Sequence, residues 1–418
     1  MERVVIVGGG PAGCAAALVA AKSGVEVLLL ERMDTLSGLS TWCGQLMGWG
    51  PRQEAKLMGG GDFFQVWESL KIDQTSDLGI PDGNLTWDVT KVEEATRRAV
   101  EAAGIKVLLR SRAVDVVMDG DTMKAVTLAD GTQVTGDAFV DATGAGGSMG
   151  LCEGYGQGCA LCGLKCTIFG DRVATSRAAN VPDIEEAKPK YFSMNFVHLD
   201  SLSPQLRQAI DDTPGGYSHH KIVPEEFYEI DFTSEWAHPE RPMNIRWKRP
   251  DVEVINVGFA KTFLLLPLKY IRRIPGFENA WMSMPLAADG IAVKENSYAP
   301  HEVTMKVKGL DNLFVGGLRV GVYSGGVPSI FTGELAGHNA ARKALGRELL
   351  TLPRNTIQGF FLADINRGKS PGEWGGEGHV DPRWAANGFD IPRLTDYAKI
   401  KEAIQGAGLM GVYGKKMT

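Results

Sequence analysis

The sequence predicts an α/β chain built on parallel strands, with a mainly antiparallel β-sheet lobe inserted into it. Three observations carry that expectation. An apolar strand runs straight into a glycine-rich turn at Arg3-Val-Val-Ile-Val-Gly8-Gly9-Gly10-Pro11-Ala12-Gly13. A second strand–glycine–helix unit returns late in the chain, as Asn312-Leu-Phe-Val-Gly316-Gly317-Leu-Arg319, Ser324-Gly-Gly-Val327-Pro328-Ser329 and a helical pattern over 330–345. Between about 190 and 308, aromatic and β-branched runs such as Phe227–Phe232 and Val252–Val257 imply antiparallel strands.

Each element follows in chain order. In the first turn Gly8 lets the chain leave the strand tightly, Gly10 lets the backbone approach a pyrophosphate, and Gly13 lets the helix from Pro11 pack on the sheet. The next apolar run, Glu26-Val-Leu-Leu-Leu-Glu31, ends in an acid that can accept the ribose hydroxyls of an adenosine half. Strand, turn, helix, strand and acid in this order make a dinucleotide-binding Rossmann-like start, with the helix N-terminus favouring negative charge. Val89–Ala103 has helical spacing and stops at Gly104, before a strand over Ile105–Leu109. Residues 113–135 read as a β-meander with turns at Asp119-Gly-Asp and Asp130-Gly. The strand Asp137-Ala-Phe-Val-Asp141 stops at Ala142-Thr143-Gly144. The expected division is 1–175 with 309–350 as a discontinuous nucleotide domain, 176–308 as a substrate lobe, and 351–418 as a C-terminal extension covering the core or making a dimer contact. That extension holds a glycine-rich loop, Gly372–Gly378, and a helical pattern over Ile391–Ala407.

A chain of 418 residues, 44% apolar and 22% charged, can bury a large core in two or three lobes. Its net charge of −6 offers no overall attraction to nucleic acid, and the basic stretches Arg241–Arg249 and Lys269–Arg273 are short. No apolar run reaches the roughly twenty residues that span a bilayer, and the first strand starts at the N-terminus, so a cytoplasmic protein is expected. The expected partners are a small-molecule substrate or a redox partner protein, with no nucleic acid and no membrane; the oligomeric state is open.

A ligand touching both ends of the chain fits FAD better than NAD, because the late helix N-terminus can stabilise charge developing on a reduced isoalloxazine ring. No second G-x-G-x-x-G with an acid at the right spacing provides for NAD(P)H. With the N-terminal fingerprint, Asp141–Gly144 and Asn312–Gly317 all present, the chain resembles the two-dinucleotide-fold flavoproteins, and especially their FAD-dependent oxidoreductase branch. The resemblance covers 1–45, 85–145 and 309–345, and implies the glutathione-reductase-type FAD-binding fold. It implies that Glu31 holds the adenosine ribose, that Ala113 and Val114 meet the adenine, and that Gly317, Val327, Pro328 and Ser329 face the ribityl chain and flavin. Gly8, Gly10, Pro11, Ala12, Gly13, Arg32, Ser40, Thr143 and Gly144 complete the expected cofactor contacts. Many relatives carry Asp after the Gly of the late strand, whereas this chain has Gly317, which leaves ribityl contact to the backbone.

Four of the six cysteines, Cys152, Cys159, Cys162 and Cys166, fall within fifteen residues in a loop over 150–170 broken by glycines. Four thiolates suit a [4Fe–4S] cluster. The spacing is not the ferredoxin run, and Thr167 stands where a proline usually follows. A Cys159–Cys162 redox dithiol, a tetrathiolate zinc site and plain packing stay open beside it. Gly156-x-Gly158-Cys159-x-x-Cys162-x-x-x-Cys166 resembles a group of mostly uncharacterised anaerobe flavoproteins, and heterodisulfide reductase A subunits offer a fold-level analogy. Cys43, in Ser40-Thr-Trp-Cys43-Gly-Gln45, is the candidate flavin-adjacent thiol or nucleophile, with ordinary packing as the alternative; Cys14 reads as an inert core thiol. The His219-His220 pair reads as a solvated loop pair before a pocket-lining one. The leading expectation is an FAD-dependent oxidoreductase exchanging hydride or electrons with its substrate, the cysteine loop relaying electrons. The late Asn312–Gly317 segment also resembles that of the folate- and FAD-dependent tRNA uracil methyltransferases, which sets a tRNA-modifying enzyme as an alternative. A non-catalytic electron-transfer subunit is the third.

Overall fold

Five short strands make the central sheet, four of them lined with buried residues and one edge strand half-buried, and the glycine-rich turns sit at one end of it. The computed structural model describes residues 1–38, 45–46, 51–73, 85–87, 89–144, 173–185, 192–193, 196–211, 242–248, 253–260, 272–273, 275–284, 297–321, 326–365 and 396–418. The chain runs β1 (Arg3–Val7), α1 (Pro11–Lys22), β2 (Glu26–Leu30), β3 (Gln45–Leu46), α2 (Arg52–Leu57), α3 (Asp62–Ser69), β4 (Lys71–Asp73), β5 (Leu85–Trp87), α4 (Val89–Ala102), β6 (Lys106–Leu108), β7 (Ala113–Asp119), β8 (Thr122–Leu128), β9 (Gln133–Thr135) and β10 (Ala138–Asp141). It continues through α5 (Thr175–Ala178), β11 (Ile184–Glu185), β12 (Phe192–Ser193), β13 (Phe196–His198), α6 (Pro204–Asp211), β14 (Pro242–Lys248), β15 (Glu253–Ala260), β16 (Met282–Met284), β17 (Ser297–Tyr298), β18 (Leu313–Val315), α7 (Gly326–Ala344), α8 (Ile357–Ile365) and α9 (Tyr397–Gly406).

The central sheet has the order β18-β10-β1-β2-β6, and every neighbouring pair is parallel. Numbered along the chain, this is the doubly wound 3-2-1-4-5 order, whose direction reverses between β1 and β10. The meander expected over 113–135 is present as the antiparallel sheet β7-β8-β9. Asn312, 2% exposed, clasps it to the core: its Oδ1 accepts from Met123 N at 2.9 Å, and its Nδ2 donates to Met123 O at 2.8 Å and Asp137 O at 2.9 Å.

A separate antiparallel sheet has the order β12-β15-β13-β16, with β14 also on β15. It holds the strand expected around 252–257; the run expected at 227–232 lies outside the described residues. A two-stranded ribbon, β11 against β17, links the start and the return of this inserted stretch.

Two helices cross closely over the sheet. α1 has alanine at five of its nine buried positions, and α7 places Gly333 and Gly337 over Ala12 and Ala16, where β-carbons would come within 2.2 Å of the two carbonyl oxygens. The late helix begins at Gly326 rather than at 330. Pro328 does not prevent this, because a first-turn residue has no intrahelical partner for an N–H. The last helix begins at Tyr397, after Asp396, whose side chain accepts the Lys399 N–H at 3.1 Å. Beyond it the chain lies back on the core: Gly411 N donates to Leu57 O, Tyr413 N to Met58 O, and Met417 N to Ser23 O. Among the described residues no helix is long and apolar enough to cross a membrane.

Candidate functional site

The glycines of the first turn divide into those that shape the backbone and one that leaves space. Gly8 has φ +107°, and a β-carbon there would stand 2.4 Å from Ala142 O; its N–H bonds Leu30 O at 2.8 Å. Gly13 meets the Gly8 carbonyl, where a β-carbon would lie 1.8 Å from the oxygen. Gly10, at the head of α1, has no atom within 4 Å of where its β-carbon would be, and no side chain caps the helix behind it. Open space before an uncapped helix N-terminus is a cradle for an anion.

Glu31 sits at the end of β2, 7% exposed, with Oε2 accepting from Gly9 N at 2.7 Å and Oε1 from Met33 N at 2.8 Å. The two bonds fix the carboxylate beside the glycine turn, with Arg32 in the turn that follows. Ser111 N donates to Glu31 O at 2.8 Å, which brings the chain into β7 with Ala113 and Val114 at its start.

The other expected residues come from the far side of the switch point. A β-carbon on Gly8 would also stand 3.1 Å from Thr143 Cα, and Gly144, at φ +80°, has open space on its β-carbon side. Gly317, at φ +69°, has Ala12 Cβ 2.8 Å and Ser329 Cβ 3.8 Å from its own β-carbon position. Gly8, Gly10, Pro11, Ala12, Gly13, Thr143, Gly144, Gly317, Val327, Pro328 and Ser329 thus meet at the C-terminal ends of β1, β10 and β18. That is the ligand end of a doubly wound sheet. The Gly317 N–H is committed to Thr332 Oγ1 at 2.9 Å, so the ribityl contact expected from the backbone there is limited to the rest of the peptide.

Residues to which the motifs assign no cofactor contact bind these turns from behind. Asp141 and Arg319 are both fully buried, with Arg319 Nε 3.5 Å from Asp141 Oδ2. Arg319 also makes a two-pronged pair with Asp183, at 2.9 Å and 2.6 Å. Asp141 lies inside a recognised motif, but an arginine after a glycine pair reads as surface, and nothing in the local pattern announces its burial. Cys14, read as a core thiol, is buried with Sγ 3.2 Å from Gly9 O, and burial pushes it up to about 12. Ser40, Cys43 and the four cysteines Cys152, Cys159, Cys162 and Cys166 lie outside the described residues. Among the described residues no group of His, Cys, Asp and Glu side chains could hold a metal ion.

Comparison with known proteins bears on this arrangement. The family described as FAD dependent oxidoreductase matches residues 3–155, and the family described as Glucose inhibited division protein A matches 250–348. The chain belongs to the FAD-dependent oxidoreductase superfamily. Within this superfamily it is 35% identical over 98 residues to the tRNA uridine 5-carboxymethylaminomethyl modification enzyme MnmG of Chlorobaculum tepidum, covering 23% of this chain and 15% of that one. It is 36% identical over 136 residues to the methylenetetrahydrofolate–tRNA-(uracil-5-)-methyltransferase TrmFO of Caldicellulosiruptor bescii, covering 31% of this chain and 30% of that one. The matches therefore span 15% and 30% of those relatives' length. Aquifex aeolicus GidA has a similar fold, with a TM-score of 0.61 at 16% identity, covering 99% of this chain and 76% of that one. The superfamily supports FAD as the cofactor, and the open face at Gly10 fits a dinucleotide. The relatives' names carry tRNA, against the expectation of no nucleic-acid partner drawn from the acidic balance, the short basic stretches and the four-cysteine loop.

Proposed function

We propose that this chain is an FAD-dependent oxidoreductase whose dinucleotide lies along the C-terminal ends of β1, β10 and β18. The carrying observation is the open β-carbon position of Gly10 before the uncapped head of α1, in a turn whose neighbours Gly9 and Gly8 face Glu31 and Thr143. In this reading α1 presents its N–H groups to the pyrophosphate, and Glu31, with Arg32, orients the adenosine half. Ala113 and Val114 border the adenine, and the head of α7 at Val327–Ser329 meets the flavin end. Bound FAD supplies hydride or electron exchange; the chain's own part is to orient it, exclude water and present the substrate. The domain division proposed with it is 1–175 plus 309–350 for the cofactor, 176–308 for the substrate and 351–418 as an extension on the core, in a cytoplasmic protein. Heat release from pure protein is the test: one FAD per chain is expected, and stoichiometric NAD in its place would sink the reading.

For the substrate, the relatives favour a uridine of tRNA over a small molecule or a redox partner protein. An acidic chain engaging tRNA needs a locally basic face, so binding should weaken steeply with salt. Titrating the FAD-loaded protein with bulk tRNA at low and physiological salt decides it. Absence of binding at either would return the substrate to the small-molecule class.

A second reading rests on the four thiols at 152–166. There the loop holds a [4Fe–4S] cluster that relays electrons to or from the flavin, with a Cys159–Cys162 dithiol or zinc as the competing ligand chemistry. Cys43 belongs to the same proposal as a thiol in contact with the flavin. Cys43→Ser is expected to shift the flavin absorption spectrum, and an unchanged spectrum removes it.

A further inference from the structure

Arg319 ties together three stretches of chain that no local motif connects. Its guanidinium donates Nη1 to Asp183 Oδ2 at 2.9 Å and Nη2 to Asp183 Oδ1 at 2.6 Å, and Nη2 also reaches Ser176 Oγ at 2.9 Å. On its other edge, Nε is 3.5 Å from Asp141 Oδ2. Asp141 in turn accepts from Thr143 N at 3.1 Å and Thr143 Oγ1 at 2.7 Å through Oδ1, and from Thr175 N at 3.0 Å through Oδ2. One carboxylate therefore holds the Thr143–Gly144 turn and the start of α5 at the same point.

The backbone of the same segment holds the ribbon. Asp183 immediately precedes β11, and Ala299, just after β17, donates its N–H to Arg319 O at 2.9 Å. Arg319 is thus bound to both strands by which the inserted stretch leaves and rejoins the fold, one through its side chain and the other through its carbonyl. Two residues before it stands Gly317, against Ala12 and Ser329.

Burying two carboxylates and one guanidinium is costly, and apolar residues of similar volume often give an equal or more stable fold. A charge network at this place gains something else: a bidentate fork has one geometry, so the groups it joins have one geometry too. We propose that Arg319 is a positioning residue for the cofactor. Through Asp141 it sets the Thr143–Gly144 turn, and through its own backbone it sets Gly317, so one guanidinium registers both turns against the flavin dinucleotide and anchors the ribbon to them. This rests on the FAD reading.

The test starts from FAD release by the wild-type protein, followed by apo-protein titration with FAD and the flavin midpoint potential for Arg319→Lys and Asp183→Asn. Lysine keeps the charge but not the fork, and its FAD dissociation constant is expected to rise at least about tenfold. Asp183→Asn keeps the Arg319–Asp141 pair and removes one buried negative charge, so it covers the case in which Arg319→Lys does not fold. It is expected to weaken FAD several-fold and to raise the midpoint potential, because a less negative surrounding favours the electron-richer flavin. Wild-type protein without FAD overturns the cofactor reading and this proposal together. FAD-bearing wild type, with variants that melt earlier but keep its affinity and potential, overturns this proposal alone and leaves the network a structural anchor.

Discussion

Gly333 of α7 stands directly over Ala12 of α1: a β-carbon at 333 would lie 2.2 Å from the Ala12 carbonyl oxygen. The contact repeats one turn on, where Gly337 meets Ala16 O at the same 2.2 Å. Both helix heads are brought to the same end of the sheet by this crossing, which is why a β-carbon at Gly317 would meet both Ala12 and Ser329.

Gly333→Ala should therefore damage fold and site together. The obstructing atom is backbone in a helix that cannot yield without moving β1 and β10, so the cost should reach the upper end of the about 1–3 kcal/mol seen for overpacking. Thermal melting of the variant, with and without added FAD, is the measurement. A melting temperature equal to wild type would show that the helices separate more easily than the packing implies.

Gly10 and Gly13 should respond in opposite ways, although both belong to one fingerprint. Gly10→Ala places a methyl in open space at an extended φ of −72°, so the apo protein should melt as wild type while FAD occupancy falls. Gly13→Ala drives a methyl into Gly8 O, and the apo protein should lose stability by itself. If Gly10→Ala binds FAD as tightly as wild type, the space in front of α1 is not where the pyrophosphate lies.

The contrast shows what a sequence discloses and what it does not. β1, α1, β2, α4, the meander and β10 were legible because each obeys a local rule: period-two or period-3.6 apolar spacing, a glycine where φ must be positive, an acid at a strand end. The glycine roles were legible in outline, since strand, turn and helix occur together. Arg319 was not, because its partners Asp141 and Asp183 are distant in sequence and converge only through strand order. The head of α7 lies four residues before the apolar helical pattern begins, because Pro328 sits in the first turn, where no intrahelical N–H bond is lost. Asn312 belongs to a local motif, but its bonds to Met123 and Asp137 need the meander folded against β18.

Below the crossing, α7 carries a buried polar cluster that should make stability depend on pH. Glu334 accepts from Gly61 N at 2.5 Å, and Glu54 accepts from Ile357 N and Gln358 N, each at 2.8 Å. Burial pushes both carboxyls up to about 7. An acid raised in the folded state stabilises fully below its unfolded value near 4.5, and that contribution is lost as pH rises through about 7. His338, packed edge-on against the Tyr413 ring at 5.1 Å, works the other way: burial lowers it to about 3, so its contribution holds above 6.5 and is lost on acidification. Glu334→Gln isolates the carboxyl, keeping an acceptor for Gly61. The variant should match wild type near about pH 4 and melt higher near about pH 8, by an amount on the order of 3 kcal/mol at most. Parallel melting curves across that range would mean the Glu334 carboxyl ionises in the fold without penalty.

The cysteine loop separates a simple flavin enzyme from an electron-relay protein. Thr143 and Thr175, on either side of it, are both bonded to the Asp141 carboxylate, so the chain enters and leaves the loop beside the expected flavin face. Protein prepared without oxygen should carry about four irons and four sulfides per chain, as a thiolate-held cubane requires. Cys162→Ala should abolish the iron and leave FAD bound, because Gly8–Gly13, Glu31 and Gly317 lie on other segments. Air complicates the comparison, since oxidation can strip a thiolate-bound cluster and leave free thiols or a disulfide, so the iron analysis has to be anaerobic throughout. An iron-free anaerobic preparation with full activity would remove the cluster. A Cys159–Cys162 disulfide exchanging electrons with the flavin would then take its place, and a thiol titration changing by two per chain on flavin reduction would identify it.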